Sequence, residues 1–224
     1  MKNVILFDLD GTLLDTLQDL QESVNAALEA YGAAPHTLEE VRSYVGNGLA
    51  KLVERALPEG TAHPHYPEIL AETRRIYRDN SRNHTAPYSG IVSMLHQLHA
   101  IGYRMGVVSN KPDADVKQLC RHFFGDTIAV AIGANESRRN KPAPDNLFAA
   151  MEQLGATVVD TIYVGDSDVD LDTARNAGVP CISVLWGFRD LAQLDAHGAM
   201  YCVRTADELV SMLQSGWFDM PSFV

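Results

Sequence analysis

Five short runs of β-branched or apolar residues recur along the chain: Val4 to Asp8, Met105 to Ser109, Ile128 to Ile132, Thr161 to Gly165 and Cys181 to Leu185. Each is short and nearly continuously apolar, the pattern of a parallel strand covered on both faces. Between most of them the period lengthens to that of a helix. Ile91 to Ala100 puts Ile91, Met94, Leu95 and Leu98 on one stripe, and Gly102 ends it. Pro144 opens and Gly155 closes a helix carrying Leu147, Phe148, Met151 and Leu154, while Leu171 to Ala177 stops at Gly178 with Pro180 just beyond. This alternation predicts an α/β fold built on an open, doubly wound parallel sheet.

The rhythm breaks between Thr16 and Thr85, where only helical patterns occur: Leu17 to Tyr31, Leu38 to Tyr44, Leu49 to Leu57 and Ile69 to Asn80. Residues 15–85 are therefore expected to form an inserted α-helical cap. The core is then discontinuous, made of residues 1–14 and 86–224, with hinges near Leu14 to Thr16 and Asn83 to Pro87. The tail from Gly216 to Val224 carries no pattern.

With 224 residues, 46% of them hydrophobic, the chain can bury one large core that carries an insertion. Its 29 acidic against 18 basic residues leave a net charge of −11, which argues against nucleic acid, because backbone affinity needs clustered Lys and Arg. The three cysteines, Cys120, Cys181 and Cys202, have no CxxC spacing and read as core residues of a reduced, cytoplasmic protein. The amino terminus lacks a signal-peptide pattern, and no stretch approaches the roughly 18 apolar residues of a membrane span. No nucleic acid or membrane partner is therefore expected, and the sequence does not choose between monomer and homodimer.

Ligands of an open parallel sheet bind beyond the carboxyl ends of its strands. There the sequence puts Asp8, Asp10, Gly11 and Thr12 after the first strand, Ser109, Asn110 and Lys111 after the second, Asn140, Lys141 and Asp145 after the third, and Asp166, Ser167, Asp168 and Asp170 after the fourth. Crowded carboxylates raise one another's pKa unless a cation lies between them. Mg²⁺ fits, since it takes one or two carboxylates plus phosphate oxygens; Asp8 and Asp166 would hold it, with the backbone carbonyl of Asp10. Gly11 permits a sharp turn and close approach to an anion. Amides near Gly11 and Thr12, the hydroxyls of Thr12 and Ser109, and neighbouring Asn110 would meet phosphate oxygens, and Lys141 would add a point charge. Asp8 then suits a nucleophile, already ionised at pH 7, and Asp10 a general acid and base.

Four segments in order, DLDGT (Asp8 to Thr12), VVSNK (Val107 to Lys111), NKPAPD (Asn140 to Asp145) and GDSDVD (Gly165 to Asp170), resemble the motifs of the haloacid dehalogenase-like phosphatases. A lone DxD is usually just a polar turn. The resemblance implies a Rossmann-like core, an aspartyl-phosphate mechanism and Mg²⁺, with Asp170 steadying the metal's waters or Lys141 from behind. VGNGLAKLVERAL (Val45 to Leu57) further resembles the cap of phosphoglycolate phosphatases within that superfamily. On that resemblance Gly46, Asn47 and Gly48 would offer free amides at a helix start to the substrate's distal carboxylate, with Lys51 and Arg55 four residues apart on one face or simply solvated.

Other polar residues have plainer readings. Asp168 and Asp172 complement a helix dipole. His63 and His65 belong to a proline-rich loop without a third ligand nearby, and His96 and His99 to a helix surface. Trp186, Gly187 and Phe188 follow the fifth strand, where an aromatic more often packs than walls a site. The function expected is hydrolysis of a phosphomonoester, phosphoglycolate by resemblance. The alternatives are a sugar phosphomutase or another small-metabolite phosphatase or pyrophosphatase, and, outside enzymes, a phospho-acceptor signalling module.

Overall fold

A computed structural model describes residues 2–216, so the tail beyond Gly216 lies outside the described residues. The chain divides into two compact units: residues up to Leu13 together with those from Pro87 onward, and Leu14–Ala86. In chain order the strands are β1 (Val4–Phe7), β2 (Leu14–Asp15), β3 (Ala86–Pro87), β4 (Arg104–Pro112), β5 (Val130–Ala134), β6 (Thr161–Gly165), β7 (Cys181–Val184) and β8 (Cys202–Val203). The helices are α1 (Leu17–Ala30), α2 (Leu38–Tyr44), α3 (Leu49–Ala56), α4 (Tyr66–Asn80), α5 (Ile91–Ala100), α6 (Asp113–Phe124), α7 (Asp145–Gln153), α8 (Asp168–Ala177), α9 (Leu191–Ala196) and α10 (Ala206–Gln214).

The first unit is an α/β domain around a six-stranded sheet of order β5-β4-β1-β6-β7-β8, parallel at every pairing. All four residues of central β1 are fully buried, the burial that its unbroken apolar run requires. On one side Val4, Leu6, Val108, Ile132 and Tyr163 pack with Leu147 and Met151 of α7 and with Ala174 and Ala177 of α8. Because the strands are parallel, their carboxyl ends share one edge. Helix α8 starts at Asp168 rather than Leu171, and among the strands two expectations shift by two residues or more. The third strand begins at Val130, not Ile128, because Gly125–Thr127 forms a 3-10 turn and Ile128 follows it as extended chain. The second strand runs on to Pro112, with its pairing register to β5 shifting between Val108 and Pro112.

The second unit is helical. Val24 and Leu28 of α1, Leu52 and Val53 of α3, and Ile69 and Tyr77 of α4 are buried. Helix α2 opens with a capping box, in which Thr37 and Glu40 satisfy each other's end amides. Buried Asp19 of α1 accepts from the N–H groups of His84 and Thr85 (3.0 and 2.9 Å) and from the Thr85 hydroxyl (2.7 Å), which ties the unit's two chain ends together. Among the described residues, no helix is long and apolar enough to cross a membrane.

Candidate active site

Strand β1 ends where Asp8 donates its N–H to Val164 O at 2.9 Å. The chain then turns: Leu9 N–H bonds back to Asp8 Oδ1 at 2.7 Å, and Leu13 N–H reaches Leu9 O at 3.0 Å. Gly11 sits at φ +89°, and a Cβ there would collide with the Asp166 carboxylate. Gly187 is excluded from growth in the same way, by the side chain of Asp166 and the carbonyl of Gly11. Absent side chains at these two positions let the turns after β1 and β7 close around Asp166. That carboxylate accepts from the Thr12 hydroxyl at 3.0 Å and from Phe188 N–H at 2.8 Å. Trp186 Nε1 donates to Thr12 O at 2.9 Å, fastening the same two turns together.

Lys141 is held from both ends. The Asn110 side-chain amide grips its backbone, accepting from Lys141 N–H at 2.8 Å and donating to Lys141 O at 3.1 Å. At the other end, the ammonium donates to Asp170 Oδ1 (2.7 Å) and the Tyr163 hydroxyl (3.1 Å) and forms an ion pair with Asp8 Oδ1 (2.9 Å). Asp170 is equally engaged, since its Oδ2 accepts from the N–H groups of Asp166 and Ser167 (3.2 and 3.1 Å) and from the Ser167 hydroxyl (2.6 Å). It also closes the capping box of α8, which explains why an acid stands at that helical position.

Asp8, Asp166 and Asp170 each bring a carboxylate oxygen within 4.8 Å of the others, and all three are buried. One lysine cannot balance three carboxylates. Burial pushes Asp8 well above the usual carboxylate range; Lys141 opposes this, and Asp170 and Asp166 add to it. Asp166 is pushed up to about 7, by burial first and Asp170 second. Burial alone would draw Lys141 down, but Asp170 and Asp8 outweigh it and hold the ammonium above its ordinary value. Buried oxygen donors with surplus negative charge suit a hard dication. Within the trio Asp8 and Asp166 are the candidate ligands, because each Asp170 oxygen already accepts from two or more donors, whereas each Asp166 oxygen accepts from one.

The Asp10 carboxylate pairs with Lys111, whose Nζ lies 2.8 and 3.1 Å from its two oxygens. Ser109 accepts from Lys111 N–H at 3.2 Å, which keeps its own O–H for another acceptor. Thr12, expected to meet phosphate, has its hydroxyl on Asp166 and its N–H on Leu9 O. Asn110, expected beside it, directs its side-chain amide at the Lys141 backbone. Gly46, Asn47 and Gly48 belong to the helical unit, where Gly48 caps α3 at φ +83° without a side-chain hydrogen bond. Arg55 braces that loop, donating to Tyr44 O at 2.7 Å and Asn47 Oδ1 at 3.0 Å, and Lys51 pairs with Glu54 at 2.5 Å.

Sequence reasoning passes over Lys111, Tyr163 and Phe188 as site residues. A tyrosine in a strand buried on both faces is a usable signal, because its hydroxyl needs a partner. The Phe188 contact is a backbone one, which no residue type announces.

Residues 5–184 match the family of haloacid dehalogenase-like hydrolases. A phosphoglycolate phosphatase of Xylella fastidiosa (strain Temecula1) is 37% identical, over 83% of this chain and 81% of that protein. Another phosphoglycolate phosphatase, of Pseudomonas putida, is 33% identical over 95% and 79%. A crystal structure from Lactobacillus delbrueckii subsp. bulgaricus agrees with TM-score 0.92 at 32% identity, covering 95% of this chain and 99% of that one. On its motifs, its sheet and these matches, the chain belongs to the haloacid dehalogenase-like hydrolases.

Proposed function

We propose that this hydrolase cleaves 2-phosphoglycolate to glycolate and inorganic phosphate, using Mg²⁺ and a phosphorylated Asp8. The observation that carries the reading is the state of Asp8. One oxygen is pinned by Leu9 N–H and Lys141, while among the described residues the other has no hydrogen-bond donor. A carboxylate fixed at one oxygen and open at the other is prepared to attack phosphorus; contrary to the sequence expectation, burial raises its pKa, so its ionisation depends on a cation that offsets that burial.

In the first step an Asp8 oxygen bonds to phosphorus, the ester P–O bond breaks, and Asp10 passes its proton to the departing alkoxide. In the second, Asp10 takes a proton from water, whose oxygen bonds to phosphorus and releases phosphate from Asp8. Mg²⁺, held by Asp8, Asp166 and the Asp10 carbonyl, would neutralise charge among the carboxylates and phosphate oxygens. The Gly11 amide and the Ser109 hydroxyl are assigned to phosphate, with Thr12 and Asn110 acting by fixing Asp166 and Lys141. Lys141 orients Asp8, and Asp170 orients Lys141. The choice of phosphoglycolate rests on the relatives that carry that name, and Gly46, Asn47 and Gly48 of the helical unit are assigned to the distal carboxylate on the same resemblance alone.

The test is a panel of phosphoglycolate, hexose phosphates, nucleotides and pyrophosphate, ranked by kcat/KM with Mg²⁺ present. Phosphoglycolate is expected to lead by at least about tenfold, one or two lost polar contacts being worth that much. An isomerised phosphosugar as product would make the protein a mutase instead, and a stable stoichiometric phosphoprotein would make it an acceptor module.

Metal binding has its own readout in stability. Raised carboxyl groups keep protons in the folded chain that the unfolded chain releases near pH 4, so they favour folding at low pH. That contribution disappears as pH rises from about 4 through about 7, the value for Asp166. Chelator-treated protein should therefore melt lower at pH 8 than at pH 5. At pH 8, Mg²⁺ at about 100 times its Kd should raise the melting temperature by roughly 5–10 °C. An unchanged melting temperature with Mg²⁺ would remove the cation from this site.

A further inference from the structure

The geometry points to Lys111 as the positioning residue for Asp10: it holds the acid-base carboxylate in the orientation from which its proton reaches the leaving oxygen. This inference rests on the general-acid reading of Asp10. Asp10 follows the Asp8 turn with a side chain 20% exposed, so packing alone does not choose its rotamer. Lys111 does. Its side chain is only 4% exposed, and its ammonium bridges both Asp10 oxygens, at 2.8 and 3.1 Å, which fixes the plane of the carboxylate as well as its position.

A lysine is rarely so buried without a fixed task, and this one's place is set by backbone. It lies in the part of β4 where the register to β5 shifts, and its N–H is anchored on the Ser109 hydroxyl. Residues 109 to 111 are all buried there. Ser109 and Lys111, two apart, share one side of the strand; Asn110, between them, turns its amide to the Lys141 backbone. One irregular strand end thus serves both halves of the chemistry, setting Lys141 on Asp8 through Asn110 and setting Asp10 through Lys111. An exposed ion pair would carry little weight, but here the lysine is desolvated and its position is fixed.

The prediction separates positioning of the acid from general support of the fold. An alkoxide needs a proton to leave and a nitrophenolate does not, so loss of a correctly placed acid harms alkyl esters selectively. The readout is kcat/KM, which reports steps up to phosphoryl transfer onto Asp8. For Lys111→Met we expect about a 10²-fold loss on the best alkyl phosphomonoester of the panel and less than about tenfold on 4-nitrophenyl phosphate. Asp10→Asn should show the same split, and the double variant should be no worse than Asp10→Asn alone. Lys111→Arg keeps the cation with a different reach and should show the split in weaker form, which covers the case in which the Met variant does not fold. Equal losses on both substrates, or none on either, with Asp10→Asn still selective, overturn the role of Lys111. Absence of selectivity in Asp10→Asn itself overturns the general-acid reading, and this inference with it.

Discussion

Asp8→Asn is expected to lower kcat on any phosphomonoester by at least about 10⁴-fold while leaving the melting temperature unchanged or higher. An amide of the same shape cannot attack phosphorus and is a poor oxygen donor to a cation, so nucleophile and ligand are lost together. Stability should not follow, because Asp8 is held well above the usual carboxylate range and its charge in the folded chain is costly. The substituted amide would still offer an oxygen to Leu9 N–H and to Lys141, and Lys141 keeps Asp170. Loss of activity with retained or improved stability is the pattern of a site, whereas paired losses indicate a structural residue. A purified variant within about a hundredfold of the native rate would exclude Asp8 as nucleophile.

How much of this is legible in the sequence depends on whether a residue's role is set locally or by distant partners. The strand of Val4 to Phe7 reads directly, since burial on both faces requires an unbroken apolar run. Helix α5 has the bounds its sequence predicts, because its stripe and closing Gly102 are local signals. By contrast β8 is two residues long, Cys202–Val203, and exists through its pairing with β7, so no periodicity could announce it. Helix α6 does bury Val116, Leu119, Cys120 and Phe124 at helical spacing, but Asp113, Asp115, Lys117 and Arg121 dilute the stripe.

The site divides the same way. Asp8, Asp10, Lys141 and Asp166 are nameable because chemistry restricts which side chains can serve. Their supports are not, because support is a matter of where an atom ends up. Thr12 and Asn110 have phosphate-binding donors by type, yet folding directs them to Asp166 and to the Lys141 backbone, 154 and 31 residues away. Lys111 reads as one more basic residue until β4 carries it to Asp10.

Lys141→Met tests the electrostatic centre of the site and should cost both stability and rate. The substitution keeps length and apolar stem but removes the cation that faces Asp8, Asp170 and the Tyr163 hydroxyl. Breaking a buried pair from one side leaves charge without compensation, at about 3–5 kcal/mol, which for a chain of this size is roughly 10 °C in melting temperature. The drop should be larger in chelator at pH 8 than at pH 5, because Asp166, pushed up to about 7, is ionised at the first pH and protonated at the second. A second change separates the two roles: Lys141→Met with Asp170→Asn removes both partners and should recover most of the lost stability. Activity should stay down by about 10²-fold or more, the usual effect of deleting one preorganised charge from such a site, because Asp8 has lost the group that holds it in line. Recovery of turnover in the double variant would make Lys141 a counter-charge for Asp170 alone, and an unshifted melting temperature in the single variant would mean that the three carboxylates do not crowd as the distances require.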